Sequence, residues 1–354
     1  MKSDRFESIQ VLRALAALAV VAFHTVGNVG SYGWSARLLP RFASYGELGV
    51  DVFFVISGFV IALVSKGDRG GVGAARQFLV ARITRVVPLY WLMTAIFAVL
   101  LVVVPSAFGH ARLAPWHLIT SFIFFPSINW AGIVAPVLNV GWTLNYEAWF
   151  YLVFSLALCF TSRPLIFVGI ALASTSLLRL SHPTGVAFSF YTNSIVLEFL
   201  FGAFVGTYYA AGKKIPATGA GIALLIAIAC KFAYSPTLTE ENRILVFGIP
   251  ALTILIVALA LEARLRGARL IGKLGDASYS LYLTHVLSVP LALKLIQIID
   301  RQHHVPGDLV AIAVISLAVC VALGCYHLVE RPMTRFVRTR HSVRPVGKGA
   351  EQAL

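Results

Sequence analysis

Apolar residues in this chain fall in long uninterrupted blocks, and polar residues gather in the short stretches between them. A helix needs about 20 residues to cross ~30 Å of hydrocarbon. Ten blocks approach that length: residues 9–27, 46–65, 87–105, 142–160, 164–180, 190–211, 217–233, 243–261, 277–299 and 308–328. The pattern predicts an all-α fold, a polytopic membrane helical bundle with about ten transmembrane helices. One more apolar stretch, His117 to Pro126, is too short to cross. It is predicted to be interfacial or re-entrant and to face outward, between the third and fourth spans.

Charge placement orients the bundle. With the N-terminus inside, the connections on the cytoplasmic side carry Lys2, Arg5, five cations from Lys66 to Arg85, Arg163, Lys213, Lys214, four from Arg264 to Lys273 and six from Arg331 onward. The opposite side holds only Arg37, Arg41, Arg112, Arg179, Lys231, Arg243, Lys294 and Arg301. Cytoplasmic connections are enriched in Lys and Arg, so both termini are expected in the cytoplasm. The formal net charge of +14 would suggest a nucleic-acid partner in a soluble protein; here it is a topology signal, and no nucleic acid is expected. A chain that is 58% hydrophobic and 12% charged is not a soluble domain. The first block carries Arg13 and His24 with no small-residue cleavage site after it, so it reads as a retained span. Cys159, Cys230, Cys320 and Cys325 lie in or beside apolar blocks without metal-ligand spacing, and are expected to be small buried hydrophobes. No metal site and no permanently bound cofactor are expected. Without a repeat or a low-complexity tract, residues 1–330 read as one transmembrane domain, followed by a short basic cytoplasmic tail over 331–354 and no soluble esterase-like domain.

Ionisable residues inside a bilayer are costly, so each one is a candidate for function. The set is Arg13, His24, Asp51, Glu147, Glu198 and His285. In RALAALAVVAFH, eleven helical steps return to within about 20° of the start and advance roughly 16 Å. Arg13 and His24 therefore share a helix face, the cation near the cytoplasmic boundary and the imidazole deep in the membrane. That layout suits a long donor with an anionic head and a reactive tip; a snorkelling arginine and a packing histidine are the plainer reading. In ARQFLVARITRVVPLYW, Arg82 and Arg85 share a face if the stretch is helical, with Arg76 about two turns back and Phe78, Leu79 and Ile83 free to lie on the membrane. Such a face binds phosphates or simply decorates the cytoplasmic side. Asp51, one turn inside Glu47, could orient His24 or pair with an arginine elsewhere. Glu147 sits among Trp142, Tyr146, Trp149 and Tyr151, aromatics that mark an interface or form a platform for a sugar ring. Glu198 and the SYSLYLTH run ending at His285 read as helix glue, and Glu330–Arg331 before Pro332 as a helix-ending ion pair.

The ordered stretches LRALAALAVVAFH, GVDVFFVISGFVI, RITR, WTLNYEAWFY, SYSLYLTH and ERP make the chain resemble the acyltransferase-3 family of bacterial membrane O-acyltransferases nearly end to end. Within that family it looks most like the exopolysaccharide-production acetyltransferases, and macrolide acyltransferases are also similar. The resemblance implies an O-acetyltransferase of the bacterial inner membrane that uses cytoplasmic acetyl-CoA, or another acyl-CoA, as donor substrate. It implies a catalytic centre at His24, with Arg13 as its partner in the first span and Arg82 and Arg85 as the acyl-CoA-binding pair. Family members often carry a second acidic residue where this chain has Ala148, so Glu147 alone can fill that role. After SYSLYL the common continuation is His-Trp-Pro, where this chain has His285-Val286-Leu287.

The expected reaction transfers an acyl group to a hydroxyl of a cell-surface or exported polysaccharide, a lipopolysaccharide or a lipid-linked precursor, with polysaccharide assembly machinery as a partner besides the lipid bilayer. His24 either abstracts the hydroxyl proton or takes the acyl group itself, Asp51 orients or charge-stabilises it, and Glu147, Trp142 and Tyr146 position the sugar. A small glycosylated metabolite such as a macrolide is the alternative acceptor. A proton-coupled transporter or flippase, with Asp51, Glu147 and Glu198 as relay groups, is the rival class.

Overall fold

The computed structural model describes residues 6–65, 70–108, 112–182, 184–233, 242–265 and 267–340. Lys2, Arg5, Lys66, Arg69 and the tail beyond Arg340 lie outside them. The α-helices of eight or more described residues are α1 (Glu7–Val29), α2 (Leu48–Val64), α3 (Val72–Val103), α4 (Pro115–Phe122), α5 (Trp142–Phe160), α6 (Pro164–Leu177) and α7 (Leu197–Ala210). They continue with α8 (Ala217–Ala233), α9 (Ile249–Ala260), α10 (Arg269–Asp276), α11 (Ser278–Ile299), α12 (Gly307–Cys325) and α13 (Arg331–Arg340). Among the described residues the only β pairing is an isolated bridge between Ile128 and Val134.

Among the described residues six helical segments are long and apolar enough to cross a membrane: Glu7–Tyr32, Val72–Val103, Asn139–Phe160, Pro164–Ser181, Ser278–Ile299 and Gly307–Val337. Four shorter apolar helices, Leu48–Val64, Ser194–Ala210, Thr218–Ala229 and Ile244–Ala260, occupy the remaining predicted blocks. Large apolar side chains such as Val99, Leu156, Ile170, Leu225, Ile298 and Val321 face outward. A belt of that kind needs hydrocarbon around it. The protein is an all-α, multi-pass membrane bundle.

Small residues let the central helices approach closely. Gly202 and Gly206 on α7 form a G-x-x-x-G pair, and a Cβ at Gly202 would run into the Val55 carbonyl, just as one at Gly58 would strike that of Phe199. Backbone therefore touches backbone along the α2–α7 seam, the packing that membrane helices use where apolar burial drives nothing. Gly46 and Gly49 play the same part against α1, where a Cβ would meet the Ala19 and Ala16 carbonyls. The result leaves α2 covered on nearly all sides, in keeping with its apolar sequence all round.

Two predicted boundaries move. The third span begins well before residue 87, because Val72–Val103 is one helix that carries the RITR stretch inside it. Pro332 does not end a helix: α12 passes through a π-helical turn at Tyr326–Glu330 into α13. A second π-turn, Ile244–Gly248, lies just ahead of Pro250. Proline lacks the N–H for an i−4 carbonyl and crowds it, and a widened turn before the ring accommodates both defects. The short 117–126 stretch forms α4 and a turn with Phe124 at φ 58°. Tyr90 and Trp91 of α3 fasten it by donating to the carbonyls of Ser121 (3.0 Å) and Phe122 (2.8 Å).

Candidate active site

The face shared by Arg13 and His24 points into the bundle. Arg13 is buried, and its Nε donates to Ser278 Oγ at the start of α11 (3.3 Å). From α3, Arg82 comes to the same place. It is 4% exposed, with its guanidinium 5.3 Å from the Phe78 ring centroid and 5.7 Å from that of Tyr151. Its Nε has no hydrogen-bond partner among the described residues. Phe78 is thus a buried platform for Arg82 and not a membrane contact, while Ile83 does face outward. Arg76 lies exposed, away from this cluster.

Arg13, Arg82 and Arg85 line one cavity of about 110 Å³ with Ser57, Glu147, Tyr151, Ser278 and Tyr282. Glu147 accepts hydrogen bonds from Ser57 Oγ (2.8 Å) and from the Tyr151 hydroxyl. Glu330, which accepts from Ser280 Oγ (2.5 Å), acts electrostatically on Arg85 and Arg13. Of the residues that line the cavity, three guanidinium groups face the one carboxylate of Glu147, which leaves the lining cationic, while Glu330 and Asp276 act on Arg13 from behind it. Desolvated guanidinium groups with unfilled donor positions are a strong anion receptor.

His24 lies farther along α1, outside the residues that line this cavity. Its neighbour is His285 of α11: His24 Nδ1 and His285 Nε2 are 3.2 Å apart, with the ring centroids at 5.0 Å. Tyr282 spans the gap between cavity and histidines. It lines the cavity, its ring centroid lies 5.9 Å from that of His285, and its hydroxyl donates to the Val140 carbonyl (3.0 Å).

Asp51 does not face His24. It is fully buried in a two-pronged pair with Arg243, Oδ1 to Nε at 3.0 Å and Oδ2 to Nη2 at 2.9 Å. Arg243 also holds Glu47 at 2.9 Å and lies 6.0 Å from the Trp142 ring centroid. Glu198 is fully buried beside Asp51, so it belongs to this charge cluster. Tyr146 is buried as well: it stacks on Phe190 at 3.9 Å and donates its hydroxyl to the Phe190 carbonyl (3.1 Å). That ring supports Trp142, which it meets edge-on at 6.0 Å, and offers no face to a sugar. Trp142 remains partly exposed.

Residues 6–325 match the acyltransferase domain that defines the acyltransferase-3 family. The chain belongs to that family. This acyltransferase-3 protein is 34% identical over 300 residues to the exopolysaccharide production protein ExoZ of Rhizobium meliloti, covering 83% of this chain and 92% of that one. It is 23% identical over 372 residues to the peptidoglycan O-acetyltransferase OatA of Listeria monocytogenes, covering 93% of this chain and 56% of OatA. No solved structure matches it. The chain is a membrane O-acyltransferase.

Of the residues singled out from sequence in this acyltransferase-3 chain, the fold brings Arg13, Arg82, Arg85 and Glu147 to one cavity. It sets His24 apart with His285, and gives Asp51 to Arg243. Glu147 thus sits with the arginines and not with the outer aromatics. Ser57 and Tyr282 carried no signal of their own, since hydroxyl residues are common in membrane helices, and Tyr151 stood out only as one of the aromatics around Glu147. The pairing of His24 with His285 joins residues 261 positions apart; the one local clue was an ionisable side chain inside an apolar block.

Proposed function

We propose that this protein transfers an acyl group, acetyl in the simplest case, from cytoplasmic acyl-CoA to a hydroxyl of a cell-surface or exported polysaccharide or its lipid-linked precursor. The observation that carries this reading is the convergence of Arg13, Arg82 and Arg85 on a buried cavity, with a guanidinium Nε left unpartnered. The excess of Lys and Arg in the connections at that end supports a cytoplasmic donor side, and the family supports a bacterial inner membrane. The phosphates of the donor engage the arginines, and the pantetheine arm runs along α1 toward His24, roughly 16 Å farther on. His24 takes the proton of the acceptor hydroxyl as its oxygen attacks the thioester carbonyl carbon. The C–S bond then breaks, and the leaving thiolate recovers that proton from the imidazolium.

Glu147 balances the arginines before the donor binds and orders Tyr151 beside Arg82. Trp142, partly exposed at the His24 end, supplies an aromatic face for a sugar. The similarity to ExoZ supports an exopolysaccharide acceptor, and polysaccharide assembly machinery is a natural partner. The test is surface-glycan O-acetylation, measured by mass spectrometry in a deletion strain complemented with wild type or with His24→Ala at matched expression. Loss of the acetyl mass increment on deletion, restored by the wild type alone, is the expected result. Full restoration by His24→Ala overturns the role of His24, and unchanged glycan on deletion overturns the acceptor.

A further inference from the structure

Among the described residues no carboxylate hydrogen-bonds His24, yet it does have a partner in the correct place. His24 Nδ1 lies 3.0 Å from the Val20 carbonyl oxygen, one turn back on α1. His285 Nδ1 lies 3.2 Å from the Leu281 carbonyl oxygen, one turn back on α11. The two rings meet through His24 Nδ1 and His285 Nε2, 3.2 Å apart.

These contacts admit one arrangement of protons. A carbonyl oxygen only accepts, so each Nδ1 that faces one carries the hydrogen. Neutral His285, hydrogen on Nδ1, then has a lone pair on Nε2, and that lone pair accepts from His24 Nδ1–H. The Val20 oxygen and His285 Nε2 share the same hydrogen. The opposite assignment turns the lone pair of His285 Nδ1 against the Leu281 oxygen and that of His24 Nδ1 against the Val20 oxygen, in a site where His285 is 1% exposed and such a mismatch is costly. Placing a hydrogen on both facing nitrogens sets two donors against each other. The charged and titratable groups around the pair are few: Glu47, whose field reaches His24 and which is itself held by Arg243, and Tyr282 on the His285 helix.

From this geometry we infer that His285 is the positioning residue for His24: a neutral imidazole that fixes the Nδ1–H tautomer of His24 and so leaves His24 Nε2 as the basic nitrogen. The inference rests on the acyl-transfer reading given above. During transfer the acceptor proton arrives on His24 Nε2, the bond from Nδ1–H to His285 becomes charge-assisted and shortens, and the proton leaves from Nε2 to the thiolate sulfur. No proton passes to His285. The chain Leu281 carbonyl, His285, His24 thus does the orienting that a buried carboxylate does in Ser-His-Asp sites, without a second charge in the membrane.

Two measurements test it. Nitrogen-15 NMR of histidine-labelled full-length protein in lipid nanodiscs, with His24→Gln and His285→Gln used to assign the resonances, should show neutral His24 protonated on Nδ1 and bare on Nε2. A His24 ring protonated on Nε2 overturns the inference. Acetyl transfer from labelled acetyl-CoA in inverted vesicles of producing cells, which hold their own acceptor, gives the second readout. His285→Leu should lower the maximal rate on the order of 10- to 100-fold, part of what a general base supplies, with the half-saturating acetyl-CoA concentration unchanged within about 2-fold. His285→Gln, whose amide oxygen can accept where Nε2 did, should recover most of that loss. Equal activity of His285→Leu and wild type, or equal loss in both variants, overturns the positioning role. If the wild type itself transfers no acetyl group, the enzymatic reading fails, and the tautomer spectrum still decides the histidine pair.

Discussion

Removing Arg243 should damage this protein more than removing Asp51, and removing both should damage it least. Asp51 has no exposed side-chain surface and Arg243 has 11%, while Glu47 at the rim keeps 33%. Without Arg243, Asp51 loses two hydrogen bonds of 3.0 and 2.9 Å and is left beside the equally buried Glu198. Breaking a buried pair from one side costs about 3–5 kcal/mol, and two neighbouring carboxyl groups put Arg243→Met at the upper end. Asp51→Asn leaves Arg243 its bond to Glu47 and strands no anion, so about 1–3 kcal/mol is expected, the cost of imperfect buried hydrogen bonds. The double change Asp51→Leu with Arg243→Met removes both charges and should recover much of the single-variant loss, as apolar replacements of buried ion pairs do. Thermal unfolding in detergent, followed by size-exclusion fluorescence, reads the order directly. Wild-type stability in Arg243→Met, or a double variant worse than either single, refutes the reasoning. Activity separates structure from chemistry: a stable double variant that still transfers acetyl groups removes Asp51 from the reaction, whereas a stable inactive one returns it there.

Other outcomes follow from the cavity and the seam. Arg82→Gln should raise the half-saturating acyl-CoA concentration by roughly 10- to 100-fold, the loss of one charge-assisted contact; Arg82→Lys should recover little, because an ammonium cannot lie flat between Phe78 and Tyr151. Steady-state kinetics in membranes checks both. Glu147→Gln should tighten binding of desulfo-CoA by roughly 3- to 10-fold in a competition assay, since the carboxylate that lines the cavity with the arginines is gone. Gly202→Leu should abolish accumulation of folded protein, while Gly221→Leu, with open space at its Cβ, should accumulate normally on an immunoblot of membranes.

The apolar blocks predict the helices well because hydrocarbon thickness fixes their length and forbids unpaired backbone. The eleven-residue spacing of Arg13 and His24 needs only helical pitch to place both on one face. What fails to read from sequence is contact between distant helices. Asp51 had two eligible partners, His24 and a distant arginine, and spacing does not say which helix supplies the cation. The ends at Pro332 and near residue 87 moved because a π-turn absorbs one proline and Val72–Val103 keeps α-helical geometry through Pro88. His285 looked like helix glue since the rule for polar residues in membrane helices gives that answer for any such side chain. Its two ring nitrogens, one against a carbonyl and one bare, become informative only once His24 is opposite.

The touching backbones of α2 and α7 constrain how a donor can enter. Helices joined carbonyl to Cα have no side-chain layer to slide over, so they shift together as a single plank, carrying Ser57 and the Asp51–Glu198 charges with them. The cavity wall on that side is therefore stiff. Looser packing belongs to the opposite wall, where α3, α5 and α11 meet through the longer side chains of Arg82, Tyr151 and Tyr279, so that Arg82 and Arg85 stand on the yielding side and Arg13, on α1 against the Gly46–Gly49 contacts, on the stiff one.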